Sequence, residues 1–510
     1  MAAESGKLRR WLESGVRAVL RERARLDAIN VFPVADSDTG TNMYLTLREG
    51  NRAVAYLPET ASHREVVAAF ARGCLMGARG NSGVIVSQYL TAFLGSLDES
   101  GGLAEATGED VAVALERAAE AAYEAVGEPV EGTILTVAKA AANGAREAVR
   151  AHTGIEAVAV AAIMAARAEL ARTTEILPEA HEAGVVDAGA AGLLLQLEVL
   201  AELIAGPEAL AALDEVEWEI HERIGGLTPA QGAKAHEHAP GGGAYEVMFV
   251  ARSNRIVGGV HDVSLKTALK EVGDSVAVTG IVGLWQAHVH TDHPERAIDL
   301  ARMVSSNQIV VRDVMGEGCE SPIGVVALTT CPGLASAMAG AGAAVLVSLD
   351  PDSVETWDLE RILADAGTDR VIVAAGAPAL ADAIRTLATD DREPSIVMLD
   401  AASEPQVLSA LIAAALVSPG EDAEKAMADA VARCTSARAR VDAIAEDLVE
   451  MITPDTEVAT IILGDGVPKE FATTAIETLS ASAPGIDVQV YEGGQAVPAV
   501  IIGVESAPIP

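Results

Sequence analysis

The feature that most constrains this chain is a change of hydrophobic period near residue 220. Before it, alanine-rich amphipathic segments at roughly 5–28, 42–55, 62–97, 108–126, 131–150, 155–175 and 188–205 repeat with helical spacing, separated by short loops containing Gly, Pro or Asp. Seven or eight helices of that length can bury their apolar stripes only against one another, which predicts a bundle or helical barrel. From residue 245 the pattern changes to short apolar runs. Strands are expected at 245–251, 275–282, 286–290 and 308–313, with helices at 263–271 and 294–306. Beyond about 321, the runs PIGVVALTT, AAVLVSL, DRVIVAAG, PSIVMLD, VATIILG, IDVQVYEGGQ and AVIIGVE alternate with helical stretches, as parallel α/β layers require.

A chain of 510 residues is too long for one core. The expected fold class is multidomain: an N-terminal all-α bundle or barrel (1–222), a Gly- and Pro-rich linker (223–243), a small α/β middle domain (244–318) and a C-terminal α/β domain (319–510).

The chemistry concentrates in the run NVFPVADSDTGTNM, residues 30–43. If that loop is extended, Asp36 and Asp38 leave the backbone on one side and converge on a hard cation such as magnesium, which keeps several waters and shares its shell with phosphates. Thr41 or Asn42 would cap a helix starting near Met43, whose backbone N–H groups would face an anion. Two rival readings fail. An EF-hand counted from Asp36 needs glycine at its sixth position and glutamate at its twelfth, and finds Thr41 and Leu47. A Walker loop needs Gly-Lys-Ser/Thr, and Gly6-Lys7 is followed by Leu8. A plain polar turn before a helix remains the alternative for the acid pair taken alone.

A second run, GARGNSGVIVSQ at 77–88, sets Gly80 and Gly83 around Asn81 and Ser82 ahead of a helix. Glycines there let a phosphate approach the backbone, and Asn81 and Ser82 can donate to its oxygens. In EPVEGTILTVAKAA (128–141), Thr133 stands at a helix start, where core packing is the first reading. In AGVVDAGAAGLLLQLE (183–198), Asp187 and Gly189 precede a helix that Asp187 would cap. In the middle segment, His288 and His290 alternate on a strand, so both imidazoles share one face and suit zinc or acid–base work.

These four N-terminal blocks, in this order, resemble the nucleotide-binding domain of the dihydroxyacetone kinase family, and the domain order resembles the kinase subunit of bacterial fatty acid kinase. The family pattern at the acid loop is Pro-Asp-Gly-Asp, where this chain has Ala35-Asp36-Ser37-Asp38. The resemblance implies a helical ATP-binding domain, magnesium held by Asp36 and Asp38 with Asn30, and phosphates oriented by Thr39, Gly40, Thr41, Asn42, Gly80, Asn81, Ser82 and Gly83. Thr133, Asp187 and Gly189 would lie toward the nucleoside. It implies catalytic importance for His288 and His290. Zinc there is in doubt, because the family's cysteine after a tyrosine is replaced by Glu246 after Tyr245, which makes a harder, less selective site. The acceptor implied is a fatty acid presented by a separate fatty-acid-binding protein, with an acyl phosphate as product. A dihydroxyacetone (glycerone) kinase and a non-turnover nucleotide-binding regulator are the alternatives, and a homodimer is compatible with either.

EGGQAVPAVIIGVE near the end again resembles the family. LVSLDPDSVET and VAAGAPAL replace its Met-Asn-Pro-Ser-Thr and asparagine-rich segments, and a charged helical run after 420 stands where the family continues with an arginine-containing strand.

Acidic residues outnumber basic ones 74 to 36, for a formal net charge of −38; such a field disfavours nucleic acid and anionic membrane surfaces. Cys74, Cys319, Cys331 and Cys434 form no CxxC pair, as in a reduced compartment. The N-terminus lacks a signal-like apolar core, and no eighteen apolar residues run uninterrupted. A soluble, cytoplasmic protein without membrane insertion is therefore expected.

Overall fold

The computed structural model describes residues 2–211, 213, 217–218, 243–256, 263–281, 283–304, 306, 308–314, 323–389, 394–417 and 422–507. The expected linker at 223–243 lies outside them except for its last residue. The chain forms two compact units: residues 1–242 with 250–290, and 243–249 with 291–510.

The described helices of the first unit are α1 (Ala2–Ala28), α2 (Thr39–Ala55), α3 (His63–Gly77), α4 (Gly80–Glu99), α5 (Gly108–Ala125), α6 (Ile134–Arg150), α7 (Ile155–Ile176), α8 (Pro178–Ala183), α9 (Ala188–Ala205) and α10 (Pro207–Ala211). They share one core, in which Trp11 stands edge-on to Phe93 with ring centroids 5.9 Å apart and alanines fill the helix contacts. Capping boxes open α3 (Ser62 with Glu65) and α5 (Thr107 with Asp110). Helix α9 is long and apolar enough to cross a membrane, but Leu193, Leu194, Leu197 and Leu200 are buried in this core.

The expected helix over 62–97 is two helices. Ala78 and Arg79 adopt extended geometry and Gly80 has φ +56°, so the chain turns between Gly77 and Gly80. After a short antiparallel pair, β2 (Arg255–Ile256) and β3 (Val263–Ser264), a longer pair lies against these helices: β4 (Asp274–Ile281) and β5 (Leu284–Thr291), antiparallel with Ala277 opposite His288. Gly127 N–H donates to the Val276 carbonyl at 2.6 Å, and Ala277 packs on Ala78 and Val84.

In the second unit, six strands run in the order β10-β9-β7-β8-β6-β1. Their ranges are β1 Tyr245–Ala251, β6 Gln308–Asp313, β7 Gly324–Thr329, β8 Ala344–Ser348, β9 Arg370–Ala375 and β10 Ser395–Met398. β7 to β10 are parallel, while β6 runs antiparallel to both β8 and β1. A second sheet has the order β11-β14-β12-β13: β11 Cys434–Arg438, β12 Thr456–Leu463, β13 Asp487–Glu492 and β14 Val500–Ser506. Each sheet has its own apolar core. The expected multidomain class, helices first and sheets after, is the observed one. The charged run after 420 is a helix, Ala423–Arg433, and the arginine-containing strand β11 follows it directly.

Candidate functional site

The acid loop departs from its expected geometry. Ser37 has φ +56°, in the left-handed region that favours glycine, so the chain folds between the two aspartates instead of running extended. Strand-like alternation therefore does not set the relation of Asp36 to Asp38; a tight turn does. Buried Asn30 ties that turn together. Its Nδ2 donates to Asp36 Oδ1 at 2.6 Å, and its Oδ1 accepts from the Thr39 hydroxyl at 2.9 Å.

Helix α2 also begins earlier than expected, at Thr39 with Asp38 in the cap position, so neither Thr41 nor Asn42 is the cap. Asn42 N–H already donates to the Asp38 carbonyl at 2.8 Å, inside the first turn. Thr41 donates its N–H and its hydroxyl to the two oxygens of Asp27, at 2.9 and 2.8 Å, and Gly40 N–H points to the same carboxylate. Burial raises the Asp27 pKa and these bonds partly offset it. The N–H groups expected to face an anion at the start of α2 are thus engaged by a carboxylate of the protein.

Asp27 belongs to none of the sequence motifs, yet a signal exists. It lies in the last turn of α1, where a negative charge opposes the helix dipole, so an acid there needs another employment.

The glycine loop meets the acid loop. A Cβ on Gly80 would run into the Asn42 side-chain amide, and one on Gly83 into the Thr46 hydroxyl. Arg79 N–H donates to Thr46 Oγ1 at 3.2 Å. The first turn of α4 therefore stands beside the first turn of α2. Asn81 Oδ1 is buried there with no hydrogen-bond partner among the described residues, a state that costs about 1–3 kcal/mol unless a ligand or water satisfies it.

The other two blocks also meet. Thr133 caps α6 by accepting from Leu135 N–H and donates to the Val130 carbonyl at 2.7 Å. Asp187 caps α9, accepting Ala190 N–H at 2.7 Å, and accepts the Ile134 N–H as well, so one carboxylate ties the starts of α6 and α9. Burial pushes its pKa up to about 6. Gly189 packs beside it, and Gly192, one turn on, lies against Met43 of α2. The starts of α2, α4, α6 and α9 thereby gather at one end of the bundle.

His288 and His290 are buried on β5 with ring centroids 4.9 Å apart, and the His288 Nδ1 lies 3.1 Å from the Ser275 carbonyl. Opposite residues of an antiparallel pair share a face, so His288 is on the face of Ala277 that meets Ala78 and Val84 beside the glycine loop. In the second unit, Glu246 is buried and its carboxylate is clamped by the Arg312 guanidinium, Nε at 2.8 Å and Nη2 closer still.

With this geometry in hand, three family models match the chain in order: a DAK2 domain over residues 33–202, then the middle domain of FakA-like (fatty acid kinase A-subunit-like) proteins over 242–317 and their C-terminal domain over 436–505. The chain belongs to the DAK2 family, in its FakA-like branch. Protein YloV of Bacillus subtilis is 28% identical, with 96% of this chain and 97% of that protein covered. An uncharacterized Staphylococcus epidermidis protein is 28% identical over 94% and 95%, and one from Staphylococcus aureus 26% over the same shares. The crystal structure of the dihydroxyacetone kinase of C. freundii aligns at TM-score 0.29 and 19% identity, covering 38% of this chain and 34% of that one.

DAK2 membership supports a kinase-type, nucleotide-binding function. The matched DAK2 segment holds Asp36, Asp38, the glycine loop, Thr133 and Asp187, but begins after Asp27 and Asn30.

Proposed function

We propose that this DAK2-family chain is a magnesium-dependent ATP phosphotransferase that phosphorylates a fatty acid, presented by a separate binding protein, to an acyl phosphate. The observation that carries the reading is the contact of the acid loop with the glycine loop, Gly80 against Asn42, at the gathered helix starts.

The donor set fits a small hard cation: Asp36 and Asp38 offer carboxylate oxygens, Asn30 adds the amide Oδ1 that also accepts from Thr39, and the orphaned Asn81 Oδ1 marks a place that needs a hydrogen-bond donor or a cation. Magnesium held by those three residues would neutralise charge on the phosphates. Asn81, Ser82 and the Gly80–Gly83 backbone would orient the phosphate chain, with Thr39 and Asn42 at its edge. Gly40 and Thr41 serve that chain through the loop's shape, since their donors are taken by Asp27. Thr133, Asp187 and Gly189 would wall the nucleoside side.

A fatty carboxylate needs no base. Its oxygen attacks the γ-phosphorus, the bond to the β,γ-bridging oxygen breaks, ADP leaves and no proton is transferred. His288 and His290 would act through the strand packed behind the glycine loop, and zinc at that pair is checked by elemental analysis.

The test is phosphate transfer from Mg-ATP to oleate with and without a fatty-acid-binding protein, and to dihydroxyacetone. Transfer to oleate only with the binding protein supports the reading. Transfer to dihydroxyacetone alone would make it a glycerone-type kinase, and tight nucleotide binding with neither transfer a regulator.

A further inference from the structure

An aspartate at a helix N-cap ordinarily turns its carboxylate back to accept an N–H of the first turn. Asp38 holds that position on α2, yet its side chain makes no cap hydrogen bond. The bonds are supplied from another helix: Asp27 of α1 takes the Thr41 N–H and hydroxyl and the Gly40 N–H. Gly40 is what permits so close an approach, since a Cβ there would press on the Arg23 carbonyl and Leu26.

We propose that Asp27 is a positioning residue for the cation site: by capping α2 in place of Asp38, it keeps the Asp38 carboxylate from folding back onto its own helix and so commits it to the metal. The inference rests on Asp36 and Asp38 being the metal-holding pair of the proposed function. Without Asp27, the first-turn N–H groups lose their acceptor, and Asp38, already in the cap position, is the carboxylate next to them in the chain. Asp38 then serves the helix at the expense of the cation. Asp36 is not drawn in, because Asn30 holds it from the other side of the turn.

The test is calorimetric titration of ATP into the full-length protein at a series of magnesium concentrations, with thermal unfolding alongside. For Asp27→Ala, the magnesium concentration giving half-maximal ATP affinity rises about 10- to 100-fold, the range seen when a residue behind a metal ligand is removed. ATP affinity at saturating magnesium stays near that of the unmodified protein. Asp27→Asn still accepts Thr41 N–H through Oδ1 and can donate to the Thr41 hydroxyl, so its midpoint stays within about threefold of the unmodified protein. Thr41→Val deletes one of the bonds and gives a smaller rise of the same kind, which decides the matter if Asp27→Ala does not fold.

An unmoved midpoint in both Asp27→Ala and Thr41→Val overturns the proposal. So does an Asp27→Asn as impaired as Asp27→Ala, which would assign the effect to the Asp27 charge. ATP affinity lost at every magnesium concentration would make Asp27 a purely structural residue. If the unmodified protein binds ATP without regard to magnesium, the cation site itself falls, and this inference with it.

Discussion

Helices α2 and α4 start side by side and are finished in opposite ways. The first turn of α2 is closed by a carboxylate from α1, and its flanking acids stand in a turn stitched by Asn30. The first turn of α4 has no side-chain cap; Arg79 occupies the cap position, and Asn81 Oδ1 is buried without a partner among the described residues. A helix start already holding a carboxylate repels a second anion, whereas one without such a cap attracts it. Under the proposed function the two neighbours would divide the work: α2 would present negative charge to the magnesium ion, and α4 would present N–H groups to a phosphate. Two similar-looking loops in the sequence have opposite electrostatic character.

That division is broken most severely at Asp38. Asp38→Asn keeps the volume but removes the charge, and transfer should fall about a hundredfold or more, since loss of cation stabilisation removes several kcal/mol from the transition state. The check is a transfer assay run across magnesium concentrations. ATP binding with unaltered magnesium dependence in this variant would mean that α2 does not present its acids to a metal.

Gly80→Ala attacks the other partner. The new Cβ meets the Asn42 amide, and a left-handed alanine costs about 1–2 kcal/mol. The expected outcome is lower stability by that amount in denaturant titration, together with weaker ATP binding whose magnesium midpoint is unchanged. A shifted midpoint would show that the two loops cannot be separated functionally.

Asp187 sharpens the comparison by supplying a third helix start, capped by its own aspartate. Its pKa is raised to about 6 from an ordinary 3.8, chiefly by burial. The folded state then holds the proton more tightly than the unfolded one, so this group favours folding at low pH. The benefit is present below about 4 and is lost as pH climbs through about 6. Asp187→Asn keeps an acceptor for Ala190 and cannot ionise. The stability of the native protein relative to this variant should therefore fall by an amount on the order of 2 kcal/mol between pH 4 and pH 7. A difference independent of pH would show that burial does not hold a proton on Asp187 in this range.

Much of this is readable along the chain. The break between helical and strand periods, β1 and β6 to the residue, and the cap at Asp187 follow from local pattern, because period and capping are local physics, whereas Thr133, read first as core packing, turns out to cap α6. The two misplaced helix boundaries share one cause. Thr41 and Asn42 look like caps, but Asp27, fourteen residues before Thr41, settles where α2 begins by accepting its donors. The 62–97 helix breaks at Ala78 because Gly80 must meet Asn42 of another helix. Pairings between helices carry no signature in a single window of sequence, although an acid in the last turn of α1 is a clue that local energetics leave unexplained.

Ser37 carries the smallest and most informative expectation. The turn between Asp36 and Asp38 demands φ +56°, and a serine there bears about 1 kcal/mol or more of left-handed strain that glycine escapes. Glycine also loosens the unfolded chain, which returns about 0.4–1 kcal/mol. Ser37→Gly should accordingly change stability by no more than about 1 kcal/mol in denaturant titration. Its effect on magnesium affinity then separates two roles for the strain. If the affinity is unchanged, Asn30 and Asp27 alone set the two acids and the serine is a tolerated substitution. If it weakens while stability rises, the stiffness of Ser37 itself holds the aspartates ready for the ion, and α2 owes its half of the division to a strained turn as well as to its borrowed cap.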